Sequence, residues 1–285
     1  MTLAEKTPIA TRLDPAQVAA FQADGACCLR GLFTDWVEEL RRGVDRNMAE
    51  PGPYGAENTK PGEAGRFFDD YCNWQRIPEF RRFVMESSAA EIAAHVMGSK
   101  TAQFFHEHVL VKEPGTAKTT PWHQDIPYYC VDGAQTVSFW MPLDPVPLET
   151  SLQIIKGSHR WARMIRPVKW LNDADFYEAD DRYMPVPKVE ENLEAYEILA
   201  WALEPGDAVL FSYKAAHGAA GNTTARRRRA FSHRWLGDDV RFAERQGRTS
   251  PPFPGINQKA GERLREDLFP LLWPSAPRAA GPHRN

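Results

Sequence analysis

Cysteine is scarce in this chain of 285 residues, and its placement suits neither bridging nor thiolate metal binding. The four are Cys27, Cys28, Cys72 and Cys130; two are adjacent and no CxxC spacing occurs. Neither a disulfide framework nor a thiolate zinc site is expected. Charge of one sign is also lacking: the net charge is -3 and the pI about 6.3, which gives no bulk attraction for nucleic acid or a membrane surface. No apolar run approaches the roughly 20 residues of a membrane-spanning helix. The segment Met1 to Asp14 has neither the apolar stretch nor the cleavage pattern of a secretory signal. Repeats and low-complexity tracts are missing too. These absences point to a cytoplasmic protein with no nucleic-acid or membrane partner, expected as a monomer or homodimer.

What is present is ordinary globular material, 42% hydrophobic and 26% charged, enough to bury a core without staples. Residues 1–12 read as a loose tail. Asp14-Pro15 is an N-cap followed by proline at the first helical position, opening a helix to about Gln22. Ala26 to Leu29 reads as a strand, and Thr34 caps a second expected helix over Asp35 to Met48. Residues 50–65, with three prolines and four glycines, read as a surface loop. Ile77 to Met97 reads as one helix. After Ser99 the texture changes to short strands: Gln103–Val111, Val137–Met141, Leu152–Ile155, Ile198–Leu203, Ala208–Phe211 and Arg228–Trp235, separated by turn signals such as Glu204-Pro205-Gly206-Asp207. The expected organisation is one domain over 1–285: a helical part (14–98), an antiparallel β core (99–237) interrupted by a lid-like insertion (160–195), and a proline- and arginine-rich wrap (238–285) with a short helix around Gly261–Leu268.

The chemistry starts at Trp122-His123-Gln124-Asp125. Residues two apart in a strand share a face, so His123 and Asp125 can offer an imidazole and a carboxylate to one ion. A second histidine from a distant strand completes a two-histidine, one-carboxylate facial set, the arrangement suited to non-haem Fe(II) oxygenases. His217 is the best distal candidate: it follows the strand Ala208–Phe211, and Gly218 beside it permits close backbone approach. 2-Oxoglutarate would leave its far carboxylate in need of a bidentate cation. In Arg226-Arg227-Arg228-Arg229, strand alternation puts Arg228, Ala230 and Ser232 on one face and Arg229 and Phe231 on the other; Arg228 is the expected inward residue, and Arg226 and Arg227 belong to a solvated turn.

The segment Lys112-Glu113-Pro114-Gly115-Thr116 … Pro121-Trp122-His123-Gln124-Asp125 … Tyr128 … Trp140 … Gly157-Ser158-His159 … Pro205-Gly206-Asp207 … His217-Gly218 … Asn222 … Arg228 resembles the phytanoyl-CoA dioxygenase family, from about Asp14 to Asp239. The resemblance implies a mainly β fold with flanking helices, a double-stranded β-helix of the cupin-like jelly-roll kind. It implies Fe(II), 2-oxoglutarate and O₂ as cofactor and cosubstrates, with His123, Asp125 and His217 as metal ligands. Arg228, Trp140 and His108 would touch the cosubstrate, and Arg66 would be a further cationic contact. It implies hydroxylation of an unactivated C–H bond of a small organic molecule, with release of succinate and CO₂. Related halogenases replace the carboxylate with a small residue, and Asp125 is present. Thr150-Ser151 stands where the family usually has Asn-Gly.

Candidate substrate-pocket residues are Trp74, Tyr128 and Arg163, with Tyr129, Trp161 and Trp170 as further aromatics. Lys156, Arg160, Arg163, Arg166 and Lys169 form a basic segment, followed by seven acidic residues between Asp173 and Glu191 that can pair with it. His106 and His108 are expected in a polar barrel wall, and His159 and His233 in loops or behind the metal ligands. Two alternatives remain: a cupin-type metalloenzyme that does not use 2-oxoglutarate, and a non-catalytic small-molecule binder on the same fold.

Overall fold

The computed structural model describes residues 13–172, 174–178 and 180–274; the tail expected over 1–12, and Asp173 and His283, lie outside the described residues. Helix α1 spans Pro15–Asp24, with the Asp14 carboxylate accepting from the Ala16 amide and Gly25 closing the helix at φ +86°. Strand β1 is Ala26–Leu29. Helix α2 runs Val37–Ala49, later than expected, because Thr34–Trp36 form a 3₁₀ turn and the Thr34 hydroxyl donates back to Gly31 O instead of capping. The expected helix Ile77–Met97 is two, α3 (Pro78–Glu86) and α4 (Ala89–Met97). They part at Ser87 and Ser88, residues whose hydroxyls compete for backbone partners.

The loop at 50–65 contains strand β2 (Ala56–Glu57), which pairs with β3 (Phe67–Tyr71). Strand β3 escapes a propensity reading because Asp69 and Asp70 sit in its middle. Both are buried, and both are bonded: Asp69 accepts from Asn58 and His108, Asp70 from Asn47 and the Gly52 amide.

The remaining strands are β4 (Ala102–Lys112), β5 (Thr120–His123), β6 (Thr136–Pro142), β7 (Leu152–Ile155), β8 (Ile198–Ala200), β9 (Ala208–Phe211), β10 (His217–Ala219), β11 (Arg228–Leu236) and β12 (Leu271–Trp273). The main sheet has the order β1-β9-β6-β11-β4-β3-β2, with β12 also pairing β4. The smaller sheet has the order β8-β7-β10-β5. Two minor ladders, Val131–Asp132 with Arg241–Phe242 and Met164–Ile165 with Tyr183–Met184, stand apart.

Alternation on the main sheet sorts the side chains. Phe139, Met141, Phe231, Trp235, Val109 and Val111 face the helices and pack with Leu40, Val44, Phe80, Phe83 and Ile92 in one buried cluster. Trp140, Ala230 and Val209 face the other way and pack with Leu152, Ile154 and Ala219 of the smaller sheet. The two sheets therefore face each other across a shared interior, the jelly-roll arrangement expected from the resemblance.

The C-terminal segment departs from expectation. Gly261–Leu268 is not helical: the buried Gln103 amide donates to the carbonyls of Leu264 and Phe269, and those acceptors hold the chain to the sheet edge in an irregular path. Beyond it, β12 joins the main sheet rather than wrapping over its outside.

Candidate metal centre

His123 ends β5 and His217 begins β10, and the antiparallel register sets them directly opposite each other. Their rings lie 4.1 Å apart. Asp125 is not in the strand, as the alternation argument supposed; it starts a 3₁₀ turn over Ile126–Tyr128, with Ile126 N anchored on Tyr213 O. The turn nevertheless swings the carboxylate back, so Asp125 Oδ1 is 3.8 Å from both His123 Nε2 and His217 Nε2. One ligand atom from each residue lies within 4.8 Å of the others, and all three residues are buried.

The chemistry of the donor set fits a divalent metal. Each imidazole directs Nδ1 at a carbonyl, His123 at Pro121 O (2.7 Å) and His217 at Ala215 O (2.9 Å). That contact fixes the tautomer with Nδ1 protonated and turns the Nε2 lone pair to the metal position. Burial, foremost, pushes the His123 imidazole down to about 3, and also lowers His217, so both stay neutral and able to ligate. Burial alone would raise the Asp125 carboxyl; Arg234 and the two imidazoles outweigh it and hold it below the usual carboxylate range. Its Oδ2 accepts from the Ser138 hydroxyl (2.7 Å) and lies 3.7 Å from Arg234 Nε, which leaves Oδ1 for the metal.

Two cavities meet at this point. The narrower, about 40 Å³, is lined by Trp140, Arg228, Lys112, Phe67, Ser232 and both histidines, among others. Arg228 is buried there; its guanidinium donates to Thr150 O and Ala220 O and has no carboxylate partner among the described residues. Burial pushes it down to about 10. Lys112, buried and lying 4.4 Å from the centroid of the Phe67 ring, donates to Ala220 O. Its amine is lowered well below the ordinary value by burial and then by Arg228. A buried pocket lined by Arg228, Arg234 and Lys112, with no aspartate or glutamate in its lining, suits an anion.

The wider cavity, about 270 Å³, is walled by Tyr54, Tyr71, Tyr128, Tyr129, Trp170 and Phe176, with Asn58, Asp69, His106, His108 and Arg234 as polar lining. His108 lies in this cavity, its Nε2 2.7 Å from Asp69 Oδ2 and its ring stacked on Trp170; it is not among the residues around Arg228. Part of the long insertion covers the site: Val168 exchanges hydrogen bonds with the Tyr128 hydroxyl, and Ile165 N donates to Gln124.

Other expected positions move away. Trp74 packs against Phe104 on the helical side of the sheet. Arg163 is exposed and donates to Asp181 O and Tyr183 O, its charge facing solvent. Arg66 pairs with Glu57 at the surface. Trp161, within the insertion, packs with Tyr196 against a separate buried cluster around Ile155 and Ile165. His233 lies on the helix-facing side of the sheet among Phe33, Phe83 and Phe139, because it is out of phase with Arg228 and Ser232. A Cβ on Gly218 would lie 3.2 Å from Thr120 O and from the Trp122 ring, so the glycine lets β10 and β5 approach closely. Of the basic segment, Lys156 pairs with Glu197 and Arg166 with Asp175.

Arg234, Ser138 and Lys112 were missed as site residues. The signal was available: Arg234 is six residues after Arg228, Ser138 two before Trp140, and Lys112 four after His108, all in phase with inward positions.

A family model described as phytanoyl-CoA dioxygenase (PhyH) matches residues 21–230. Ectoine dioxygenase of Nocardia farcinica (strain IFM 10152) is 26% identical over 242 residues, 78% of this chain and 80% of that protein. Among solved structures, the epimerase SnoN from nogalamycin biosynthesis, in complex with Fe3+, alpha ketoglutarate and nogalamycin RO, superposes with a TM-score of 0.70 at 20% identity, covering 91% of this chain and 100% of that one. EctD from S. alaskensis with 2-oxoglutarate and 5-hydroxyectoine gives 0.65 at 21% identity, covering 92% and 88%. These likenesses establish the double-stranded β-helix fold.

Proposed function

The chain belongs to the phytanoyl-CoA dioxygenase family, and from that premise we propose that it hydroxylates an unactivated C–H bond of a small organic molecule, with His123, Asp125 and His217 binding Fe(II) and Arg228 binding the far carboxylate of 2-oxoglutarate. The family is one of Fe(II)- and 2-oxoglutarate-dependent oxygenases, and the chain carries its His-x-Asp … His set. The observation that carries the reading is the convergence of two neutral Nε2 atoms and Asp125 Oδ1 beside a buried arginine without an acid partner.

Bound iron, with 2-oxoglutarate and O₂, would supply the oxidant, and succinate and CO₂ would leave. The chain's own residues do the rest. Pro121 O and Ala215 O orient the imidazoles, and Ser138 and Arg234 orient Asp125. Arg228 and Lys112 receive the cosubstrate's far end, and Trp140 walls it. Tyr128 and Trp170 close the wider cavity over His123, which positions the substrate and limits solvent. Asp125 supports hydroxylation over halogenation, since it fills the ligand position that a halide would need. The structure of EctD with 5-hydroxyectoine, a hydroxylated small molecule, supports the same outcome.

The test is anaerobic addition of Fe(II) and 2-oxoglutarate, which should give the visible charge-transfer band of the chelate. Admitting O₂ in the presence of candidate substrates should then yield succinate and a product heavier by one oxygen. Absence of the band, or a product without added oxygen, would overturn the oxygenase or the hydroxylase reading respectively.

A further inference from the structure

We propose that the substrate carries a carboxylate, or an oxyanion of similar shape, and that Arg234 receives it beside the metal. The inference rests on the oxygenase reading above. Arg234 lines both cavities, at their junction. Its Nε donates to the Tyr129 hydroxyl at 2.9 Å, but its Nη1 is buried with no hydrogen-bond partner. Its neighbouring acid is Asp125, whose Oδ2, at 3.7 Å, is already bonded to Ser138. A buried guanidinium N–H without an acceptor is unfavourable, so the site is built for an acceptor that the chain itself does not supply.

Charge selects the kind of acceptor. Asp125 Oδ2 is bonded to Ser138, and Asp69, also on the cavity wall, lies against Asn58 and His108, so neither carboxylate takes the open Arg234 N–H. An anionic acceptor there makes a charge-assisted hydrogen bond, about twice as strong as one to a neutral acceptor. Arg228 and the metal account for both ends of the cosubstrate, which leaves Arg234 for the substrate. The aromatic walls, Tyr54, Tyr71, Tyr128, Trp170 and Phe176, suit a ring-bearing or apolar body. The class is a compact organic acid.

The full-length protein, loaded anaerobically with Fe(II) and 2-oxoglutarate, is titrated with benzoate, phenylacetate and cyclohexanecarboxylate, each against its primary amide. Binding is read from the shift of the chelate band and from tryptophan fluorescence. At least one acid should bind about tenfold or more tighter than its amide, the worth of one charge-assisted hydrogen bond. Arg234→Gln should erase that preference, Arg234→Lys should keep part of it, and the affinity of Arg234→Gln for 2-oxoglutarate, measured at saturating Fe(II), should stay within about threefold of the parent. The proposal is overturned if no acid gains tenfold over its amide, if Arg234→Gln keeps the preference, or if it loses 2-oxoglutarate affinity instead, which would assign the guanidinium to the cosubstrate. The acid–amide comparison on the parent protein decides the matter even if position 234 tolerates no change. A normal chelate band without acid preference sinks this inference alone; no band sinks the oxygenase reading and this inference with it.

Discussion

Acid should destabilise the metal-free protein well above the pH at which carboxylates titrate. His106, His123 and His233 are buried, and burial, before any other cause, holds each imidazole below its ordinary value, His123 at about 3. The hydrogen bonding of His233 agrees: its Nδ1 accepts from Trp235 Nε1 at 2.7 Å, which a protonated ring cannot do. In the unfolded chain these rings take up protons near pH ~6.5. Below that pH the unfolded state binds more protons than the folded one, so stability is complete above about 6.5 and falls as the pH drops toward 3. Between pH 7 and 5.5 each ring kept neutral by folding costs about 1.2 kcal/mol, and three cost about 4 kcal/mol. Glu107 acts the other way: burial pushes its carboxyl up to about 7, so the folded state takes up a proton in this window and regains about 1.6 kcal/mol. His217, also lowered chiefly by burial, adds to the loss. Asp125, held below the usual range, stays ionised across this window and adds nothing to the slope. The net loss of about 2 kcal/mol or more is a large share of the stability of many domains, about 5–15 kcal/mol. Urea unfolding followed by circular dichroism, with a chelator present, should show it. His233→Gln, which keeps an acceptor for Trp235 and removes one titrating group, should flatten the dependence by about 1.2 kcal/mol over the same interval. A stability constant to within about 1 kcal/mol between pH 7 and 5.5 would refute the reasoning.

Arg228→Gln should raise the Kd for 2-oxoglutarate by about a hundredfold or more, two charge-assisted bonds being lost. Binding of 2-oxobutyrate, which lacks the far carboxylate, should be unchanged; anaerobic absorption titration of the two acids makes the comparison. Ser138→Ala frees Asp125 Oδ2 and should weaken Fe(II) binding by about 10–100-fold, measured by chelator competition, with an unchanged circular dichroism spectrum. Gly206 has φ +97°, and a Cβ there would lie 2.7 Å from the backbone of Thr34. Gly206→Ala should therefore cost about 2 kcal/mol or more, visible as a thermal transition lowered by about 4 °C or more.

The sequence made much of the β core legible: β7 and β9 carry β-branched or aromatic residues, and β1 is a short apolar run after the Asp24-Gly25 turn, and all three fall where their patterns place them. It hid β3 because the buried side-chain partners of its two aspartates, Asn58, His108 and Asn47, lie elsewhere in the chain; it hid β5 because Thr-Pro-Trp-His has no apolar pattern, and β10 because three residues are too few for a period to register. The site divides in the same way. His123, Asp125 and His217 could be picked out by residue type and spacing, and the structure brings them together. Trp74 and Arg163 were chosen for chemical type alone, with no phase to say which way they point, and both face away from the cavities. Arg234 had the phase but lies beyond the Arg226–Arg229 run, in which only Arg228 was followed inward.

The two parts of the site stand on different supports, and this decides which contacts matter most. Arg228 and Arg234 are on β11, which is paired over most of its length with β4 on one side and β6 on the other. Their positions are set by backbone that a side-chain deletion does not loosen. The metal-binding residues have a weaker frame: His217 is held by β7 on one side, but β5 and β10 share a short, irregular register, and Asp125 lies beyond the strand end in a single turn. Their geometry depends on individual hydrogen bonds, from the imidazoles to Pro121 O and Ala215 O and from the Ser138 hydroxyl to Asp125. Losing one of these bonds should therefore be felt at the metal, while anion binding at Arg228 survives it. Ser138→Ala should weaken Fe(II) far more than it weakens 2-oxoglutarate measured at saturating metal, and equal losses of both would mean that the two supports are not independent.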